Sequence, residues 1–445
     1  MPAVARLFGT DGVRGVANRD LTPELVFALG RAVVAALGGE GRPRIAIGRD
    51  TRVSGPMLQA ALSAGICSAG ADVLRLGIVP TPAVAYLTVL LNAEAGAMIS
   101  ASHNPPEDNG IKFFSAEGFK LPDEVEDSIE RTMRDDSAPR AEGDDVGRVG
   151  DAPEAVERYV DHLVAAAEAR LDGMRVVVDC ANGAAFRLGP QVLERLGAEV
   201  EPIHAEGNGA AINVKSGATA PELLARAVGE KGADAGVAFD GDADRAIFAD
   251  SAGHVIDGDH VIAASALAMH EQGRLPGDRV VVTVMANLGL RRAMQRSGIE
   301  VVETQVGDRY VLEEMRRLGA TLGGEQSGHV VFLDHATTGD GLLTAVRFLS
   351  LARRKGTSVG ELTSMLHRFP QVLENVPSAD ARAVAEGSEL AGAVRRAEEA
   401  LGERGRVLVR ASGTEPVVRI MVEAETEDQA RRHAEAIAEV ARSAS

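Results

Sequence analysis

Three stretches of the chain share one pattern of apolar and polar positions. Each opens on an arginine and a short β-branched run, passes a glycine-bearing turn and a helix-patterned segment, and closes on a second apolar run introduced by Gly-x-acidic-Val. The first runs from Arg44 (RIAIGRD) to Gly70 (GADVLRLG), the second from Arg175 (RVVVDCANG) to Gly197 (GAEVEPIH), and the third from Arg279 (RVVVTVMANLG) to Gly298 (GIEVVETQ). Strand, turn, helix and strand in this order make a βαβ unit, which builds parallel sheets covered by helices. Three such units predict three α/β domains of similar build.

Beyond the Pro-bearing stretch from Phe369 to Pro377 the pattern changes. A helix-like run (Glu386–Leu401) precedes two strands (RVLVRAS and VVRIMVEAE) and a final amphipathic helix (Glu427–Ala444), the order of a small α+β domain. An acidic polar stretch at 135–147 and a turn at Asp250–Gly253 mark the other boundaries. The expected architecture is three similar mixed-sheet α/β domains, at 1–150, 151–253 and 254–368, and a smaller C-terminal α+β domain at 369–445.

Composition narrows the function. With 45% hydrophobic residues the chain can bury real cores, and its 49 glycines suit tight turns and backbone-lined loops. A net charge of −18 argues against nucleic acid as a partner. Any phosphate site must therefore draw on local arginines, lysines, backbone N–H groups or a cation. Cys67 and Cys180 lack CxxC spacing, which argues against a disulfide scaffold or a cysteine zinc site. The start, MPAVARLFGT, has no signal-like apolar core, and no apolar run approaches a membrane span. The expectation is a cytoplasmic protein with no membrane partner.

Four segments carry chemistry. Ser102 stands where an apolar strand meets the polar loop Ser-His103-Asn104-Pro105, whose Asn-Pro is a turn signal. His103 is the adjacent candidate base, but neighbours in extended chain point to opposite sides, and no GxSxG elbow is present. Asp240, Asp242 and Asp244 alternate around Gly241 just after a strand, a spacing that lets three carboxylates converge on one hard cation. An EF-hand is excluded, because its sixth and twelfth positions would fall on Arg245 and Ser251. A phosphatase with an aspartyl nucleophile stays open. Gly323–His329 sets a carboxylate, an amide, a hydroxyl and an imidazole between glycines, groups that hydrogen-bond sugar hydroxyls and shuttle a proton. Arg410–Arg419 offers two guanidiniums and two hydroxyls around a glycine, a plausible phosphate cradle. The stretch Gly48–Gly55 (GRDTRVSG) reads as the first βα turn.

In this order, SASHNP, DGDADR, GGEQSGH and RASGTEP, with the opening FGTDGVRG, resemble the α-D-phosphohexomutase superfamily over nearly the whole chain. The resemblance implies four domains, each lending one loop to an active site in a central cleft. It implies that Ser102 carries a phosphoryl group, and that Asp240, Asp242 and Asp244 hold one Mg²⁺ together with an oxygen of phospho-Ser102. Arg14 and Arg245 would neutralise the moving phosphoryl group, and Lys112 and His329 would transfer protons. Glu325 and Ser327 would read sugar hydroxyls, and Arg410, Ser412, Gly413, Thr414 and Arg419 would clamp the other phosphate. The partners implied are small sugar phosphates, with a hexose 1,6-bisphosphate as activator and intermediate, and a possible homodimer. Within the superfamily, GRDTRVSG, DNGIKFF and GGEQSGH are the forms of the branch that interconverts glucosamine 6-phosphate and glucosamine 1-phosphate. The alternative branch, acting on mannose and glucose phosphates, more often has Met where Gln326 stands.

Overall fold

The computed structural model describes residues 6–9, 11–37, 41–412 and 416–444. The three repeated segments fold as βαβ units. The strands Arg44–Arg49 and Asp72–Ile78 flank the helix Gly55–Ser68, Arg175–Asp179 and Glu199–Ile203 flank Leu188–Arg195, and Arg279–Thr283 and Glu300–Thr304 flank Leu288–Arg296. All three strand pairs are parallel and share one register, with Arg44 opposite Asp72, Arg175 opposite Glu199 and Arg279 opposite Glu300. The glycine two residues before each second strand stands at positive φ (90° at Gly70, 95° at Gly197, 71° at Gly298), where a side chain would be strained. The repeat in the sequence is thus a repeat of backbone geometry.

Each unit extends in the same way. A third parallel strand joins the first (Ala95–Ile99, Ala235–Phe239 and Leu322–Gly324), and the chain then returns as an antiparallel neighbour (Asp108–Ser115, Ala246–Asp250 and Val330–Phe332). Mixed sheets of six, five and four strands result. Ala95–Ile99 and Ala235–Phe239 are buried at every position, which explains their unbroken apolar runs. Val255–Ile256 pairs with Phe248–Ala249, so the second sheet extends past the boundary expected at 253.

The serine loop, the aspartate loop and the glycine-rich loop all leave the carboxyl end of a third strand and occupy one structural position in three repeats. Ligands of open α/β sheets bind at the carboxyl ends of strands. The loops therefore carry chemistry where the topology exposes backbone ends.

By compactness the chain forms two units, one of residues 1–285 and 299–364, the other of 286–298 and 365–445. In the second, Val417–Ala424 lies antiparallel between Gln371–Pro377 and Gly405–Ala411. Val418, Ile420 and Val422 turn one face of this sheet into a core with Leu390, Ala397, Ala434 and Ile437 of the helices Ser388–Leu401 and Glu427–Ser443. This matches the small α+β domain read from the sequence.

Candidate active site

Ser102 is 2% exposed and sits at φ 50°, in the left-handed region that few non-glycine residues adopt. That conformation corrects the extended-chain argument about His103. The bend brings His103 Nδ1 to 3.2 Å from Ser102 Oγ. Burial, with the charges of Arg245 and Arg14, lowers the imidazole pKa to about 4, so the ring is neutral near pH 7. On its other side Ser102 Oγ donates to Asp240 Oδ2 at 2.8 Å.

The aspartates occupy a hairpin loop whose flanking strands pair from Phe239–Ala246 onward. All three are buried, and each offers a carboxylate oxygen within 4.8 Å of the others. Gly241 is required here, because a Cβ would lie 2.4 Å from the carbonyl oxygen of Ser102. Burial and the charges of Asp244 and Asp242 push the Asp240 carboxyl well above the usual range, and burial with Asp242 raises Asp244. Asp242 goes the other way. Its burial is outweighed by Lys112, whose Nζ lies 3.0 Å from Oδ2, and by the Thr81 hydroxyl. Among the described residues, Asp242 Oδ1 and Asp244 Oδ1 are buried without a hydrogen-bond partner. Three converging carboxylates, the raised pKa values of Asp240 and Asp244 and the orphaned oxygens fit a hard divalent cation.

From the triad a chain of alternating charges runs through the site. Lys112 Nζ also lies 3.5 Å from Asp11, Lys120 Nζ bridges Asp11 (2.8 Å) and Asp308 (2.5 Å), and Asp308 Oδ2 lies 3.8 Å from His329 Nε2. Arg14 pairs with Asp11 and donates to Asn104 Oδ1 at 3.2 Å. Burial would lower both lysines, but Asp11 and Asp242 outweigh it at Lys112, and Asp308 and Asp11 outweigh it at Lys120, so both pKa values are raised. A lysine held protonated in this way suits charge neutralisation better than proton exchange. Lys120→Met leaves two half-buried carboxylates without their shared cation, and is expected to destabilise the protein by about 1–3 kcal/mol. Urea denaturation checks this, and an unchanged midpoint contradicts it.

His329 is 3% exposed, and neither ring nitrogen has a hydrogen-bond partner among the described residues. Gly339 packs against its ring, leaving no room for a Cβ, which would come within 2.3 Å. Glu325 accepts from the Gly307 N–H at 3.2 Å. Arg245 reaches back to the triad, its backbone N–H donating to Asp240 Oδ1 at 3.3 Å.

These groups share one cleft of about 470 Å³, lined by Ser102, His103, Asp11, Asp244, Glu325 and His329 and by four arginines, Arg6, Arg14, Arg245 and Arg309. Asp123, Asp308 and Glu313 line it too, and Arg6, Arg14 and Arg309 are ion-paired with carboxylates of this lining. Ser327 is exposed and does not line this cleft.

Arg410 and Arg419 belong to the second compact unit, directly opposite each other on paired strands and both half-buried. Burial and the neighbouring charge lower the Arg410 pKa. Ser412 is half-buried, whereas Gly413 and Thr414 lie outside the described residues. Sequence reasoning missed Lys120, Thr81 and Asp308. Asp11 lay inside the GTDGVRG motif, but only Arg14 was singled out there.

Comparison with known proteins agrees with this geometry. Models of the phosphoglucomutase/phosphomannomutase family match the chain in order: alpha/beta/alpha domain I over residues 5–140, domain II over 157–253, domain III over 257–369 and the C-terminal domain over 373–440. The chain belongs to this family and is a phosphohexomutase, an intramolecular phosphotransferase of the isomerase class. It is similar to the phosphoglucosamine mutase of Frankia alni, at 55% identity over 99% of both chains. It is also similar to the phosphoglucosamine mutase of Moorella thermoacetica, at 56% identity over 94% of this chain and 95% of that one. A crystal structure of a phosphoglucomutase/phosphomannomutase family protein from Burkholderia thailandensis superposes with a TM-score of 0.82 at 25% identity, covering 99% and 97% of the two chains. Among the described residues no helix is long and apolar enough to cross a membrane.

Proposed function

We propose that this protein interconverts glucosamine 6-phosphate and glucosamine 1-phosphate through phospho-Ser102 and a bisphosphorylated sugar. The observation that carries the reading is the Ser102 hydroxyl, held 2.8 Å from Asp240 at the edge of a buried carboxylate triad in an arginine-lined cleft. The amino sugar is supported by relatives of that name at 55–56% identity. The product would feed amino-sugar nucleotide and cell-wall precursor synthesis.

Phosphoryl transfer depends on positioning and charge stabilisation. The P–Oγ bond of phospho-Ser102 breaks as O1 or O6 of the sugar monophosphate bonds to phosphorus. His329 takes the proton of that hydroxyl, while Arg14, Arg245 and Lys112 balance charge on the moving group. Glu325 is assigned to the sugar hydroxyls, whereas Ser327, outside the cleft, is not. The bisphosphate then turns around and returns its other phosphoryl group to Ser102 Oγ. A Mg²⁺ held by Asp240, Asp242, Asp244 and a phospho-Ser102 oxygen would offset phosphoryl charge and favour Oγ as a leaving group. A trace of hexose 1,6-bisphosphate serves to load Ser102. The setting proposed is the cytoplasm, and the assembly a homodimer.

The Arg410–Arg419 pair is assigned to the non-reacting phosphate, with Ser412, Gly413 and Thr414. Like charges directly opposite on paired strands repel, and a bound dianion would relieve that repulsion. Arg410→Lys removes the planar fork and is expected to raise KM about 10-fold or more in both directions. Forward and reverse kinetics check this, and an unchanged KM removes Arg410 from the clamp.

The test of the function compares turnover of glucosamine, glucose and mannose 6-phosphates by purified protein with Mg²⁺ and a trace of hexose 1,6-bisphosphate. Preference for the amino sugar supports the reading. Activity on the neutral sugars alone moves the protein to the phosphomannomutase/phosphoglucomutase branch.

A further inference from the structure

The stretch Gly48–Gly55, read from the sequence as a simple βα turn, contains the bulkiest fully buried side chain among the described residues, Arg52. A buried guanidinium is costly unless every N–H is matched. Here all are matched: three of the five acceptors belong to the serine loop and a fourth, Asp108, opens the strand that follows it. Nε donates to Asp50 Oδ2 at 2.9 Å. Nη2 donates to the carbonyls of Ser102 (3.0 Å) and Asn104 (2.9 Å), and Nη1 to those of Pro105 and Asp108. The planar fork of arginine can serve four carbonyls at once, and an ammonium cannot.

The same network holds the other end of the Ser102 peptide. Asp50 Oδ2 accepts from Ser100 Oγ at 2.5 Å, and Ser100 Oγ in turn accepts from the Ser102 N–H at 3.0 Å. From the second sheet's side, Asn213 Nδ2 donates to the same two carbonyls, Ser102 at 2.9 Å and Asn104 at 3.1 Å. Both backbone polar groups of Ser102 are thus fixed by side chains that do not touch its hydroxyl. Ser102 needs such support, because left-handed backbone at a non-glycine residue persists only where its surroundings over-determine it.

We infer that Arg52, braced by Asp50 and seconded by Asn213, is the positioning residue that keeps Ser102 Oγ on the line of phosphoryl transfer through both halves of the reaction. The inference rests on the proposed covalent role of Ser102. Between the half-reactions Oγ loses and regains a phosphoryl group while the sugar turns around. The backbone that carries Oγ is a reference common to both transfers, and a displacement near 1 Å can cost about 100-fold in rate.

The experiment uses the full-length enzyme with Arg52→Lys, which keeps a cation opposite Asp50, and with Asn213→Ala, which removes the second donor from a half-buried loop position. The expected result for Arg52→Lys is a fall in kcat of about 100-fold with KM for glucosamine 6-phosphate changed less than about threefold. Labelling of Ser102 by hexose 1,6-bisphosphate, followed by intact-protein mass, slows in parallel. Asn213→Ala shows the same split with a smaller fall. The inference is overturned if the folded variants keep the parental kcat, if activity is lost only in proportion to the unfolded fraction seen by circular dichroism, or if the loss lies in KM. Should Arg52→Lys not fold, Asn213→Ala decides alone. A parental enzyme with no mutase turnover on any hexose phosphate would instead defeat the proposed function.

Discussion

Replacing Ser102 with alanine is expected to reduce mutase turnover to background while the protein stays folded. The substitution removes the oxygen proposed to accept and return the phosphoryl group, and no neighbour is placed to stand in for it. His103 Nδ1 lies next to Oγ but is directed at the hydroxyl itself. Asp240 is committed to the triad. The cost to stability is small by comparison, because the variant loses the contacts of Oγ with Asp240 and His103, worth roughly 1 kcal/mol each. A coupled assay for glucosamine 1-phosphate beside a melting curve checks both halves of the expectation. Substantial turnover in the variant would sink the covalent mechanism.

The second large effect is expected at Asp242. This carboxylate belongs to the triad, pairs with Lys112 at 3.0 Å and accepts from Thr81 at the start of the helix Thr81–Leu90. Asp242→Asn keeps the shape but removes the charge that Lys112 faces and that a cation held by the triad would face. The expected result is a loss of roughly 10²–10³ in kcat, with the Mg²⁺ concentration for half-maximal activity moved upward. A titration of activity against Mg²⁺ reads both. Parental activity with parental Mg²⁺ dependence would remove Asp242 from the ligand set.

The fold was legible because its signals are local. A β-branched run, a helix period and Gly-x-acidic-Val state a βαβ unit in some thirty residues, and the glycines at 70, 197 and 298 take positive φ as such a turn requires. What the pattern does not display is what the chain does between units. Val255–Ile256 joins the sheet of the preceding strands through a tight turn that reads on composition as a boundary.

The site was legible where chemistry is concentrated in one loop. Asp240, Asp242 and Asp244 announce themselves by spacing. His103 was set aside on the assumption of extended chain, and a single left-handed residue, Ser102, reversed that geometry. Nothing local in the sequence assigns Lys120 to Asp11 and Asp308, at separations of 109 and 188 residues. Arg52 was hidden differently, since its turn motif is real but its partners lie some fifty residues away. Long-range pairing of charged groups is decided by how the sheets pack, and a single sequence carries no local trace of it.

In the proposed reaction the phosphoryl group passes through Ser102 on its way between two positions of an amino sugar. The most direct measurement labels the parental protein with a hexose 1,6-bisphosphate, maps the phosphoryl group by peptide mass spectrometry, and then adds glucosamine 6-phosphate. The expected result is a phosphorylated peptide containing Ser102 that is discharged by the amino sugar, with a bisphosphorylated sugar as the product. A label on Asp240 or Asp242 instead, with free phosphate released and Ser102 unmodified, would contradict the account and point to an aspartyl-phosphate enzyme.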